Sequence, residues 1–185
     1  MAKKSAPTQY VAFLRGINLG NRRLKMDELR QLFVDLKFAN VATFIASGNV
    51  IFETSTADVA KLETRIEEHL EKSLGYAVET FLRTPAELAA IVNHRPFAAK
   101  ELDEHTLHVF FLRRALTDAE ITKLAGFDSP TDAFQAHGRE WYWLCRGRTT
   151  DSPVKWPLLN RTIGVANTAR NVTTIRKLVA KYPAS

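Results

Sequence analysis

The sequence VATFIASGNVIFET, residues 41–54, decides the fold. It holds two apolar runs, Val41–Ala46 and Val50–Thr54, which are typical of short strands. The residues between them, Ser47-Gly48-Asn49, tolerate the positive φ angles of a tight hairpin turn. We therefore predict an antiparallel pair of strands here, and the flanking segments decide what kind of sheet contains it.

A helical pattern lies on each side of this hairpin. Apolar residues recur at helical spacing from Met26 to Leu36 and again from Val59 to Leu70. The second helix is expected to turn its glutamates outward, namely Glu63, Glu67, Glu68 and Glu71. Further strands are predicted at Tyr10–Leu14 and Ala77–Arg83. The order β-α-β-β-α-β is the split pattern of ferredoxin-like domains, with an expected spatial strand order of 4-1-3-2.

The second half repeats much of this order. Thr84-Pro85 starts a short helix, and Thr117 with Glu120 predicts a capped helix up to Leu124. Strands are predicted at 106–112, 133–137 and 141–145, and a last helix contains Ile175, Leu178, Val179 and Tyr182. No closing strand is evident. We predict an α+β protein of two ferredoxin-like α/β plait subdomains, residues 1–83 and 84–185, the second incomplete or irregular.

Composition and charge narrow the function classes. The single cysteine, Cys145, excludes an internal disulfide, and no segment has the length and apolarity of a signal core or a membrane span. A cytoplasmic protein with no membrane partner is the expectation. The net charge of +6 is unevenly distributed, because residues 1–25 and 139–185 are basic and residues 26–138 are acidic. Clustered positive charge attracts phosphates.

A glycine-bracketed loop, Arg15-Gly16-Ile17-Asn18-Leu19-Gly20, follows the first predicted strand. A loop of this kind between a strand and a helix is a common way to hold an anion. In the predicted strand order, the end of the first strand and the turn at 47–49 lie at the same sheet edge. We therefore expect the polar side chains of both segments to converge there: Arg15, Asn18, Ser47 and Asn49.

Each of these residues also has a structural alternative. Arg15 could bridge backbone carbonyls, Asn18 could close its own loop, and Asn171 could cap the last helix. Arg22, Arg23 and Lys25 could be solvated surface charges. Asp27 and Glu28 suit a helix start, which argues against an anion placed directly on that terminus.

Motifs for metals, cofactors and covalent chemistry are missing from the sequence. His105 and His108 are three apart in a predicted strand and so face opposite sides, and no Walker lysine, nucleophile elbow or dinucleotide-binding glycine pattern occurs. We expect no metal and no cofactor. The third strand, Asn49–Thr54, lacks the basic and aromatic pattern of an RNA-recognition module, and the tryptophans Trp141, Trp143 and Trp156 are more typical of sheet packing than of base stacking.

The motif Tyr10–Gly20, with Lys25-Met26 and the turn at 47–50, resembles the opening of a bacterial family labelled only as domain of unknown function 1697. A second motif of that family is similar to Thr168-Ala169-Arg170-Asn171, followed by Thr174 and Lys177-Leu178. The chain departs from the family's pattern at 20–23 and at 172–173. The resemblance implies two α/β plait subdomains and no established activity, and it carries over Arg15, Asn18, Ser47, Asn49, Arg170 and Asn171.

The leading hypothesis is a non-catalytic or weakly catalytic protein that binds a nucleic acid or a phosphorylated small molecule. The predicted ligand-binding residues are Arg15, Asn18, Arg22, Lys25, Ser47, Asn49, Arg170 and Asn171. One alternative is an enzyme acting on a small phosphorylated or nucleotide metabolite, although the sequence names no general acid or base. Another is a protein-partner-binding module in which Arg15 is structural. The sequence leaves the oligomeric state open.

Overall fold

The computed structural model describes residues 6–18, 20, 23–45 and 47–184. The chain forms two compact units, Met1–Ala89 with Leu178–Ser185 and Ala90–Lys177. Each unit contains a four-stranded antiparallel sheet. The α+β fold with two subdomains is thereby confirmed, while a domain boundary near residue 84 stays a prediction.

The first unit has the predicted order of elements. They are β1 (Thr8–Leu14), α1 (Met26–Asp35), β2 (Ala39–Thr43), β3 (Asn49–Thr54), α2 (Val59–Leu74) and β4 (Thr80–Arg83). The sheet order is β2-β3-β1-β4, so β3 lies between β1 and β2 and runs antiparallel to both. This is the ferredoxin-like order expected from the sequence.

The core of the first unit lies between its sheet and its two helices. Alternate residues of a strand share one face, so Tyr10, Ala12 and Leu14 of β1 meet the apolar stripes of α1 and α2. Phe52 of β3 stacks on Phe38 with ring centroids 4.4 Å apart. The helical stripes predicted from spacing are thus the buried faces, and Leu29, Phe33, Leu62, Ile66 and Leu70 are fully buried.

Two glutamates of α2 differ from expectation. Glu63, predicted to face outward, is buried, and its Oε1 accepts a hydrogen bond from the Leu82 backbone N–H at 3.0 Å. Glu67 Oε1 accepts from the Thr80 N–H at 2.7 Å. Residues one helical turn apart therefore satisfy alternate N–H groups of β4, the last strand of the sheet. A helical hydrophobicity pattern cannot reveal this, because the partners are backbone groups.

We expect Glu63→Ala to lower the free energy of unfolding by about 2 kcal/mol, since it leaves the buried Leu82 N–H without this acceptor. Urea denaturation followed by far-UV circular dichroism measures the loss. Glu68 lies on the exposed side of the same helix. Glu68→Ala raises the helix propensity by the same amount as Glu63→Ala and is therefore the control for that effect. Equal stability of the two variants would show that the Glu63 contact contributes nothing.

The second unit follows the same plan. Its elements, from the helix that enters it to the helix that leaves it, are α3 (Pro85–Asn93), α4 (Ala99–Glu104), β5 (Thr106–Phe111), α5 (Asp118–Ala125), β6 (Asp132–His137), β7 (Glu140–Cys145), a 3-10 turn (Thr149–Asp151), α6 (Trp156–Ile163), β8 (Thr168–Asn171) and α7 (Val172–Lys181). The sheet order β6-β7-β5-β8 repeats that of the first unit.

The strand β8 corrects the prediction of an incomplete second subdomain. It closes the sheet beside β5, with Val109 opposite Arg170 and Phe110 opposite Ala169. Its four residues alternate between partly and fully buried positions but contain no apolar run. The hydrophobic pattern therefore gives no sign of β8, and α6, which lies between β7 and β8, was not predicted either.

In this unit, capping residues predicted local structure more accurately than runs of apolar residues did. The Thr117 side chain accepts from the Glu120 N–H, and the Glu120 carboxylate accepts from the Thr117 N–H at 2.8 Å, which confirms the predicted capping box of α5. Hydrogen bonds from Arg114 to Glu120, aided by the Thr117 N–H, lower the pKa of Glu120 to about 2. The Glu120 carboxylate of the capping box therefore stays charged over the physiological pH range.

The tryptophans of the second unit pack inside it. Trp141 stacks on Phe110 with centroids 3.6 Å apart, and Trp143 meets Trp156 edge to face at 4.6 Å. Trp141 and Trp143 are buried. Their place in the core agrees with the packing role predicted from their alternation, and it leaves these two rings no face for a nucleic-acid base.

Candidate ligand-binding site

The loop after β1 and the hairpin turn meet through their backbones in the first unit, whereas convergence of the side chains of Arg15, Asn18, Ser47 and Asn49 stays a prediction. The Leu14 N–H donates to the Gly48 carbonyl at 2.9 Å, and Phe13 lies opposite Asn49 in the sheet. Gly48 is buried and has a φ of +72°. A β-carbon built on it would lie 2.6 Å from Ile17 Cγ2. The turn therefore sits directly on the loop that follows β1.

Asn49 and Ser47 shape the turn itself. The buried Asn49 amide donates to the Phe44 carbonyl at 3.0 Å and to Ser47 Oγ at 2.8 Å. The Phe44 N–H donates to the Asn49 carbonyl at 2.9 Å. Ser47 is exposed. Asn49 thus acts as a positioning residue, and Ser47 is the member of the pair that reaches the surface.

Asn18 closes the loop between β1 and α1. Its Oδ1 accepts from the Leu24 N–H at 2.8 Å, and its Nδ2 lies 3.4 Å from the Leu24 carbonyl oxygen. The structural alternative considered for Asn18 is therefore realised, because its side chain holds its own loop. Arg23 Nη1 donates to the Gly20 carbonyl at 3.1 Å. Lys25 is exposed at the start of α1, with no side chain capping that helix.

Arg15 stands where β1 leaves the sheet. Its N–H donates to the Glu79 carbonyl at 2.9 Å, and its guanidinium forms an ion pair with the Glu79 carboxylate. Both side chains are about two-fifths exposed. An exposed ion pair of this kind contributes about 0 to 1 kcal/mol, so the Glu79 contact is easily exchanged for another anion.

The remaining predicted residues are Arg22, Arg170 and Asn171. Arg22 falls outside the described residues. Arg170 and Asn171 belong to β8 of the second unit. Arg170 is buried and donates to Thr168 Oγ1 at 3.0 Å and to the Ala169 carbonyl at 2.7 Å. Burial lowers the pKa of Arg170 to about 10, so the guanidinium stays charged at neutral pH. Asn171 Oδ1 accepts from the Thr173 N–H at 2.8 Å and caps α7, as its structural alternative predicted.

The turn also contains a residue that sequence reasoning missed. The strand β2 ends at Thr43, three residues earlier than predicted, and Ile45 adopts a φ of +51° with half of its side chain exposed. An apolar, β-branched residue within the run 41–46 is typical of a strand. No sequence signal marks it as a left-handed turn residue.

Within residues 6–18, 20, 23–45 and 47–184, no three or more His, Cys, Asp or Glu side chains are grouped so that they could hold a metal ion. No helix in that part of the chain combines the length and apolarity needed to cross a membrane.

A sequence model of the family described as "Protein of unknown function (DUF1697)" matches residues 8–142. The chain belongs to this family. The DUF1697 match includes β1, the loop after it and the β2–β3 turn, so it confirms the resemblance of the first motif. The second motif, around Arg170, lies beyond the matched residues.

One solved structure similar to this DUF1697 protein is that of the conserved bacterial protein SP0830 from Streptococcus pneumoniae. The two share 20% sequence identity and superpose with a TM-score of 0.76 over 97% of this chain and 100% of the other. At this identity the likeness establishes the fold alone. No curated protein matches the chain.

Proposed function

We propose that this protein binds an anionic ligand, a nucleic acid or a phosphorylated small molecule, on the first unit. The proposed contact area, here called the loop surface, consists of the exposed residues Arg15, Arg23, Lys25 and Ser47. The proposal rests on the Arg15 guanidinium, which is exposed to solvent. The backbone beneath it is held by hydrogen bonds from the Leu14 N–H to Gly48 and from the Arg15 N–H to Glu79. Arg170 and Asn171, in the second unit, stay predictions.

Preorganisation supports this proposal. The loop is closed by Asn18 on Leu24, and the neighbouring turn is held by the buried Asn49 amide. A ligand then meets donors that are already in position, which lowers the entropy cost of binding. Guanidinium groups bind phosphate oxygens through charge-assisted hydrogen bonds, roughly twice as strong as neutral ones.

The charge of the segment favours an anion. Residues 1–25 contain no acidic residue, and Arg15, Arg23 and Lys25 are all exposed. Glu79 neutralises Arg15 in the free protein, but a phosphate monoester brings a charge of about −1.5 to −2 and three acceptor oxygens, and a nucleic acid brings several phosphates in a row. We therefore expect the ligand to displace Glu79 from Arg15.

The test is Arg15→Ala. Thermal shift and isothermal titration calorimetry against AMP, ribose 5-phosphate, inorganic phosphate and a 20-nucleotide single-stranded RNA and DNA should show binding by the wild type. The variant should lose about tenfold in affinity. Its melting temperature should stay within about 2 °C, because the lost ion pair is exposed.

Arg30→Ala, an exposed arginine of α1, is the matched control and should leave affinity unchanged. For nucleic acid, the affinity should also fall steeply as salt is raised. A large drop in melting temperature for Arg15→Ala, with no ligand stabilising the wild type, would instead support the partner-binding alternative in which Arg15 is structural.

A further inference from the structure

The backbone at Ile45 is strained although half of the residue is exposed to solvent. A β-branched residue at φ +51° is a genuine outlier, because its side chain crowds the backbone in the left-handed region. Strain of this kind usually persists where tertiary packing enforces it or where function uses it. Ile45 is 51% exposed, so burial in the core does not explain the choice of isoleucine.

The turn around Ile45 is held firmly. Asn49 binds Phe44 through its backbone carbonyl and through its buried amide. Gly48 lies against Leu14 and Ile17, on either side of Arg15 in the sequence. The turn therefore presents an apolar side chain to solvent in one fixed place, next to the segment that displays Arg15.

Phe44, the residue before Ile45, has a cation beside its ring. Lys181 Nζ lies 5.7 Å from the centroid of the half-buried Phe44 ring and 5.4 Å from that of Tyr182. Sites that hold the bases of single strands combine aromatic rings with positive charge along the phosphate backbone. A sugar phosphate offers no planar face to such a surface, whereas a nucleotide does.

We propose that Ile45 and Phe44 form an apolar shelf for the base of a nucleotide whose phosphate meets the loop surface. This inference rests on the proposed anion binding and narrows the ligand class to nucleotides, either free or within a single strand. Ile45 is then a specificity-determining residue, which separates nucleotides from phosphorylated compounds without a base.

The decisive variant is Ile45→Gly, because it removes the exposed member of the shelf and relieves the strain together. We expect its melting temperature to rise by about 2 to 4 °C. We also expect its affinity for AMP to fall about fivefold to tenfold, towards that of ribose 5-phosphate, while its affinity for ribose 5-phosphate is unchanged. A gain in stability with a loss of nucleotide affinity is a combination that a purely structural role does not produce.

Ile121→Ala, at an exposed isoleucine of α5, is the control and should leave the AMP affinity unchanged. Titrating AMP and a six-nucleotide single-stranded RNA under the same conditions distinguishes a free nucleotide from one within a strand. Weaker binding of either ligand by Ile45→Gly supports the shelf.

Two other outcomes separate this inference from the proposed function. If AMP and ribose 5-phosphate bind the wild type equally and Ile45→Gly changes neither, the shelf is wrong and anion binding stands. If none of these phosphate compounds binds the wild type, the proposed function fails and the shelf fails with it.

Discussion

Replacing Asp132 by alanine is expected to lower the free energy of unfolding of the second unit by about 3 kcal/mol. Asp132 is fully buried at the start of β6. Its Oδ1 accepts from Trp143 Nε1 at 2.7 Å and from Ser152 Oγ at 2.8 Å, and its Oδ2 accepts from Thr131 Oγ1 at 2.7 Å. Alanine leaves the buried Trp143 N–H and the partly buried Ser152 hydroxyl without their acceptor, and an unsatisfied buried donor costs about 1 to 3 kcal/mol.

Tryptophan fluorescence during urea denaturation measures this loss in the right unit, because all three tryptophans of the chain, Trp141, Trp143 and Trp156, lie there. Asp132→Asn keeps one acceptor oxygen and should lose only about 1 kcal/mol. Asp103→Ala, at an exposed position of α4, should change nothing. An unfolding midpoint for Asp132→Ala equal to that of Asp103→Ala would contradict the prediction.

The same contacts give a pH dependence with a definite sign. Burial pushes the pKa of Asp132 upward, but hydrogen bonds from Thr131, Ser152, Trp143 and Ser129 outweigh it and hold the pKa below its ordinary value. The stabilisation is therefore present above about pH 4 and is lost as the pH falls through the folded-state pKa. The stability gap between the wild type and Asp132→Asn should narrow accordingly below about pH 4.

Asp132 also shows why part of this fold could not be predicted from the sequence. Spacing of apolar residues predicts which face of a helix or strand is buried, and this was enough for the whole order of the first unit. The segment from Arg146 to Asn171 has few apolar runs. It is tied to the sheet partly by polar contacts such as Ser152 to Asp132, and its strand β8 is stabilised by pairing with β5. Long-range polar pairing leaves no periodicity to detect.

The contact between the loop after β1 and the turn at 47–49 could be predicted from the sequence, but the roles of the individual residues could not. The strand order alone brings the loop after β1 onto the turn at 47–49, and the structure joins them through Leu14 and Gly48. Asn18 and Asn49 have the hydrogen-bonding groups that either a ligand or a turn requires, so their sequence could not distinguish the two roles. Only the bonds to Leu24 and Phe44 show that they hold the backbone.

Gly48→Ala is expected to lower the free energy of unfolding of the first unit by about 3 kcal/mol and to weaken ligand binding as well. A left-handed φ of +72° costs an alanine about 1 kcal/mol or more. Its β-carbon would also lie 2.6 Å from Ile17 Cγ2 and 3.3 Å from Leu14 Cβ. Both neighbours are buried, so relieving the overlap adds about 1 to 3 kcal/mol.

Gly20→Ala separates these two costs. Gly20 has a φ of +61°, but a β-carbon there would meet no atom of the described residues within 4 Å. It should therefore lose only the backbone share, about 1 kcal/mol. Far-UV circular dichroism in urea measures both variants, and hydrogen exchange at the Leu14 and Gly48 amides should report the loosening in Gly48→Ala alone.

The effect on binding follows from the same contact. Moving the turn away from Ile17 shifts the backbone that displays Arg15, and a preorganised site loses affinity when its donors are misplaced. AMP titration at a temperature where Gly48→Ala is still folded should show weaker binding than Gly20→Ala. If both variants bind as tightly as the wild type, then the turn does not position the loop surface, and the exposed cations bind the anion without that support.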